Sequence, residues 1–494
     1  MSTAIHWFRR DLRLTDNTAL NAALAAHDCV VPVFILSEWQ GEHRWTGAPR
    51  QEFLCGCLAS LAKNLEAKGG RLIIRQGAAD RVLDELVRET RAEAIYFNRD
   101  PDPFGREMEA KVARQGVPIH AHRDAAIHER NEVLTATGTP YRVFTPYARS
   151  WSKLDKPAQG RAVSKIATPP TVPGLPLPTL STWGLASTAR IIEPGEAAAR
   201  KRLGRFLDGP VFAYAQCRDF AGAEGTSQLS QDLRHGTLSI REIHARCVEA
   251  AEKAGPLERR SVQVFINELI WREFYMQVHW HWPEVLDAEF QEEYRGLPWE
   301  AGGDALARWC AGQTGFPIVD AGMRQLAAAG TMHNRLRMIV AMFLTKDLHI
   351  DWREGESWFM RHLVDGEIAS NNGGWQWSAS TGTDAAPYFR IQNPWSQTKR
   401  YDPDGAFIKR WVPELRDVAA AKLCAPPPDG ESVARGYPRP MIDHHAERER
   451  ALEMYRVPRG ESGIPVKNPP FAIAADASRY RGGKAQVRSS AKHL

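Results

Sequence analysis

Five short apolar runs in the first 122 residues constrain the fold more than any other feature: IHWF at 5–8, CVVPVFIL at 29–36, RLIIRQ at 71–76, EAIYFNRD at 93–100 and VPIHAH at 117–122. Helix-length stretches separate them. Continuous apolar strands that alternate with helices imply βαβ units and a parallel sheet buried on both faces. Residues 1–130 are therefore expected to form an α/β domain, a doubly wound parallel sheet of Rossmann-like type. The first strand is followed by WFRRDLRL rather than a glycine-rich turn, which argues against an ordinary dinucleotide site there.

The pattern then changes. Pro157, Pro169, Pro170, Pro173, Pro176, Pro178 and Pro194 exclude long helices and central strands, so residues 131–199 read as an interdomain linker. From 200 to 456 helical periodicity dominates, as in ERRSVQVFINELIWREFYMQ and HNRLRMIVAMFLTKDL, and an all-helical domain is expected. Residues 457–494, rich in Pro, Gly, Ser, Lys and Arg, read as a flexible basic tail. That tail accounts for the net charge of +5: from Arg459 onward seven basic residues face Glu461 and Asp476. The rest of the chain is neutral overall, so any nucleic-acid surface on it must come from local clustering of charge.

Other classes are disfavoured. The N-terminus MSTAIHWFRRDLRL carries charge where a signal peptide needs its apolar stretch, and no apolar run is long enough to span a bilayer, which suggests a cytoplasmic enzyme. Seven scattered cysteines suggest neither a disulfide framework nor a metal site.

The chemistry-bearing residues lie in the helical half. Eleven of the sixteen tryptophans fall between Trp271 and Trp411, more than a core of ordinary composition would use. Glu268, Trp271, Arg272 and Tyr275 share a helix face by their i, i+3, i+4, i+7 spacing. A carboxyl beside an indole suits a flat heterocycle, one stacking and the other hydrogen-bonding. Asn334, Arg337 and Met338 form a second face, with Arg335 pointing elsewhere. GTSQLS at 225–230 offers hydroxyl and backbone donors suited to a phosphate or to a helix cap. The segment DGEIASNNGGWQWSASTGTDAAPYFRIQNP at 365–394 makes a poor core; its paired carboxylates, amides and glycines predict a constrained loop that enters a helix and meets a bound ring.

Together HWFRRDLRLTDNTAL, NELIWREFY, GFPIVDAGMRQL, MHNRLRMIVAMFLTKDLHIDWREGE, NNGGWQWSASTGTDAAPYFRIQNP and WVPELRDV resemble the photolyase and cryptochrome family, specifically its microbial class I members acting on cyclobutane pyrimidine dimers. The resemblance implies a light-driven carbon–carbon lyase, a DNA-repair flavoprotein that uses reduced FAD to split dimers flipped out of UV-damaged DNA, working as a monomer. A blue-light sensor without repair activity and a (6-4) photolyase are the alternatives. By the same resemblance Tyr214, Thr226, Ser227, Leu229, Ser230, Asn334, Arg337, Asp365, Glu367 and Asn371 would hold FAD, with Asn371 beside the flavin ring. Glu268 would hydrogen-bond the lesion, Trp271 and Trp377 would flank it, and Met338 would touch its bases. Trp375, Trp352 and Trp299 would conduct electrons to an oxidised flavin, and Arg218, Arg335 and Arg390 would meet the DNA backbone. For a second, light-harvesting chromophore, Trp45 and Arg106 depart from folate-binding relatives, whereas Phe34, Arg50, Asp100 and Asp102 partly match deazaflavin-binding ones but Met108 does not.

Overall fold

The computed structural model describes residues 1–428 and 431–456; the expected basic tail lies outside them. Strands β1 (Thr3–Phe8), β2 (Cys29–Leu36), β3 (Ile73–Gln76), β4 (Ala94–Asn98) and β5 (Ile119–His122) form one wholly parallel sheet in the order β3-β2-β1-β4-β5. β1 lies at its centre, and every residue of β1 and β4 is buried. Two apolar layers cover the sheet, one around Phe8, Leu20, Phe53 and Leu58, the other around Trp7, Val33, Leu83 and Phe97. That double cover is why these strands read as unbroken apolar runs.

The remainder is helical. The Pro256–His281 helix is the longest, and its buried side packs with Phe206, Tyr214 and Ile243. The Ile368–Ala379 helix packs against it and against the helices Asn334–Met342 and Trp352–His362. Four elements thus converge on one region. The proline-rich stretch runs irregularly over the surface, with a single 3-10 turn at Leu180–Trp183 and isolated bridges from Ala162 to Thr15 and Leu175 to Ile74. One part of the linker segment departs from expectation: Phe144–Lys153 is a helix, with Tyr147 and Trp151 buried against the Pro256–His281 helix. Its only proline, Pro146, lies in the first turn, where a missing N–H costs nothing.

The loop after β1 joins the two halves. Arg13 and Arg241 share Asp124, Arg241 also grips Asp16, and the backbone N–H groups of Leu14 and Thr15 donate to Glu196. WFRRDLRLTD is therefore a charged junction, which explains why no phosphate-binding glycine turn stands there.

Candidate flavin and lesion site

Glu268, Trp271, Arg272 and Tyr275 lie on the Pro256–His281 helix as the spacing predicts. Glu268 accepts a hydrogen bond from Arg218, which also lies near Asp219. Burial pushes the Glu268 carboxyl above the ordinary range, and the Arg218 charge opposes that rise. Trp271 stacks on Phe144, the two rings 3.6 Å apart and within 5° of parallel. The opposite face of this helix, with Glu273, Met276, Gln277 and Trp280, lines a small cleft against Arg99 and His128, away from Glu268.

The segment Asn371–Trp377 is not the predicted loop. All of it is helical, within Ile368–Ala379, and only Asp365–Glu367 precede the helix. Of its glycines, Gly373 serves close approach instead of turning. A Cβ at Gly373 would run into the Tyr275 ring, and Gly355 on the neighbouring helix likewise makes room for Trp375. Asn371 donates to the Glu356 backbone carbonyl at 3.1 Å, while Trp375 is buried and Trp377 half-buried.

Arg337 donates to Asp365 Oδ2 at 2.7 Å, and Asp365 Oδ1 is buried without a partner among the described residues. An unsatisfied buried acceptor costs about 1–3 kcal/mol, so this oxygen calls for a donor such as a ring imide or a ribityl hydroxyl. Asn334 is exposed at the start of its helix; Thr226, Ser227 and Ser230 lie half-buried or exposed, and Tyr214 and Leu229 are buried in one core cluster. This donor and acceptor set fits FAD.

Glu367 has several partners within the protein. Arg272 clasps both its oxygens at 2.8 and 2.9 Å, Arg10 donates to Oε1, and Ser370 donates to Oε2 at 3.0 Å. Burial alone would raise its pKa, but Arg272 and Arg10 bring it down to about 2. Its carboxylate ties the Pro256–His281 helix to the loop after β1.

Arg335 also differs from expectation. It pairs with Asp219 at 2.7 Å and curls back to bring its guanidinium within 3.6 Å of Met338 sulfur, because an i, i+3 neighbour is within reach of a long side chain. Arg390 is exposed. Trp375 and Trp352 are both buried, Trp352 donating to Glu289 at 3.2 Å, and Trp299 is half-buried with its edge on Tyr455. Trp375 also meets Trp309 and Phe359 edge-on, contacts that the sequence did not single out.

The positions weighed for a second chromophore are engaged within the protein. Trp45 packs with Phe104, Leu286, Met360 and Ile368; Arg50 donates to the Gly366 carbonyl at 2.8 Å; and Asp100 and Asp102 both pair with Arg10. Arg106 lies over the ring of Trp280 at 3.2 Å, Phe34 is buried in the sheet, and Met108 packs beneath its far layer. Among the described residues no cluster could hold a metal ion, all seven cysteines are free, and no helix is long and apolar enough to cross a membrane.

Residues 4–169 match the family described as DNA photolyase, and residues 265–457 match the FAD binding domain of DNA photolyase. A deoxyribodipyrimidine photo-lyase of Synechococcus is 38% identical over 489 residues, covering 94% of this chain and 99% of the relative. Among solved structures, a bacterial class III photolyase from Agrobacterium tumefaciens superposes with a TM-score of 0.86 at 36% identity, covering 93% of this chain and 98% of that one. A Synechocystis cryptochrome superposes with a TM-score of 0.83 at 27% identity, covering 92% and 99%. With the parallel sheet covered on both faces, the helical half and the Arg337–Asp365 pair, these likenesses establish that the chain belongs to the DNA photolyase family.

Proposed function

We propose that this protein repairs cyclobutane pyrimidine dimers in UV-damaged DNA, with light as the energy source and FAD as cofactor. The observation that carries the reading is the placement of Glu268 and Trp271 on one helix packed directly on the helix bearing Asn371 and Trp377. The second of these helices begins three residues after Asp365 and also packs on the helix that bears Arg337.

FAD, when bound in its reduced form, would supply the light-driven electron transfer for opening the cyclobutane ring. The rest falls to the protein. Arg337, Asp365, Asn334 and Asn371 hold and orient the ring system, and Tyr214, Thr226, Ser227, Leu229 and Ser230 hold its phosphates and ribityl chain. Arg218, Arg335 and Arg390 anchor the phosphate backbone, and extrusion of the dimer is cheap because the lesion already stacks and pairs badly. Trp271 and Trp377 confine the extruded bases beside Met338. Glu268, with its pKa pushed up by burial, donates a hydrogen bond to the lesion while that carries extra negative charge. Trp375, Trp352 and Trp299 would pass electrons to a flavin that has become oxidised.

The family also contains sensors, and repair itself separates the two. Blue light should restore intact thymines in an oligonucleotide carrying one thymine dimer when the reduced protein is present. Normal flavin photoreduction without such restoration would overturn the repair reading in favour of a sensor.

A further inference from the structure

The two aromatic walls assigned to the lesion lie on different helices, and one tie connects their surroundings. Trp271 has two faces. Phe144 covers one, stacked at 3.6 Å. Phe144 opens the Phe144–Lys153 helix, whose preceding residue, Val143, has no side-chain oxygen to cap it. The cap comes from another part of the chain: the Phe144 N–H donates to Asp384 Oδ2 at 3.1 Å, across 240 positions. Beside it the Thr383 hydroxyl donates to the Arg142 carbonyl at 2.5 Å. The same loop returns to the second wall, where the Ala386 N–H donates to the Trp377 carbonyl at 3.3 Å.

Asp384 also has a left-handed backbone, φ +46°. A non-glycine residue adopts that conformation at a cost, least for Asn and Asp, and here it is held by the contacts that aim the carboxylate at the Phe144 helix. Asp384 is exposed on a face assigned to a polyanion, where an acidic side chain opposes binding unless it has another task.

We propose that Phe144 and Asp384 are positioning residues for lesion recognition: Asp384 pins the start of the Phe144–Lys153 helix to the loop after Trp377, so that the Phe144 ring backs Trp271 and offers only its other face to a flipped base. The proposal rests on the reading of Trp271 and Trp377 as walls of the lesion pocket. Neither residue touches the lesion in this scheme; both act through Trp271.

The test compares Phe144→Leu, Phe144→Tyr, Asp384→Ala and Asp384→Asn in the full-length, FAD-loaded protein. Binding is measured to an oligonucleotide with one thymine dimer and to its undamaged counterpart. Phe144→Leu keeps bulk but loses the stacking face, and Asp384→Ala loses the acceptor. Each should lower the preference for dimer over undamaged DNA about three- to tenfold, the range of an aromatic stacking contribution, with FAD content unchanged. Phe144→Tyr keeps the ring, and Asp384→Asn keeps an acceptor oxygen and tolerates the left-handed backbone, so both should keep the unmodified protein's preference for the dimer over undamaged DNA. Because Asp384→Ala and Asp384→Asn remove the same charge, a difference between them isolates the cap. Undiminished dimer binding by Phe144→Leu, equal weakening for damaged and undamaged DNA, or equal loss in both Asp384 variants would each overturn the proposal. Repair by the unmodified protein, measured alongside, reports separately on the underlying reading: its absence condemns that reading, whereas its presence with an indifferent Phe144→Leu condemns only the positioning role.

Discussion

Replacing Glu367 by Gln tests whether this carboxylate is a junction or a cofactor ligand. Its side chain is 5% exposed and its pKa lies at about 2, against an ordinary 4.5. At about 1.4 kcal/mol per pH unit, that depression amounts to about 3 kcal/mol of stability at neutral pH. Removing one member of a buried ion pair gives a similar figure, about 3–5 kcal/mol, because Arg272 and Arg10 are left without their partner. The sign with pH follows from the depressed value. The contribution is complete above pH 4.5 and is lost as pH falls towards about 2, because the unfolded chain takes up the proton first. Glu367→Gln should lower the melting temperature of the helical half by roughly 6–12 °C at pH 7. Its melting temperature should also depend less on pH below 4.5 than that of the unmodified protein. Calorimetry across pH, with flavin absorbance to report FAD content, measures both. A variant that melts normally but purifies without FAD would refute the junction and return Glu367 to the cofactor site.

Other perturbations have distinct signs. Glu273 is buried and accepts from the Ile127 and His128 backbone and the Trp151 indole; burial raises it to about 7, so stability should fall as pH rises from 4.5 to 7, and Glu273→Gln should flatten that slope in urea melts. Arg218→Gln removes the charge that opposes Glu268's upward shift. If Glu268 donates to the lesion as proposed, the alkaline fall of the repair profile should move to higher pH; a shift to lower pH would contradict that role. Gly355→Ala drives a methyl group into Trp375 and should slow flavin photoreduction while repair by pre-reduced protein persists. Trp299→Phe should act the same way without disturbing packing, and loss of repair there would contradict its place in an electron chain.

The sheet was legible because its signal is local: a strand covered on both faces has to be apolar throughout, and five such runs announce five strands. The helix face of Glu268, Trp271 and Tyr275 was legible for the same reason, as a period of 3.6 residues needs no partner to be seen. What stayed hidden depends on pairing across long separations. Arg10 and Glu367 are 357 positions apart, so nothing near Glu367 announces that its oxygens are already taken. The glycines of NNGGWQW misled because glycine has two structural uses, turning a chain and letting two helices touch. Only the Tyr275 ring lying where a Gly373 Cβ would be decides between them. Phe144 was unreadable for a related reason: among Tyr141, Tyr147 and Trp151 in a proline-bounded linker, nothing singles it out until the partner ring, 127 positions later in the sequence, is in place against it. The local code therefore carries the groups that meet cofactor and lesion, whereas the residues that aim them are encoded in tertiary contacts. Substitutions at the aiming positions should accordingly alter recognition of damaged DNA before they alter flavin binding.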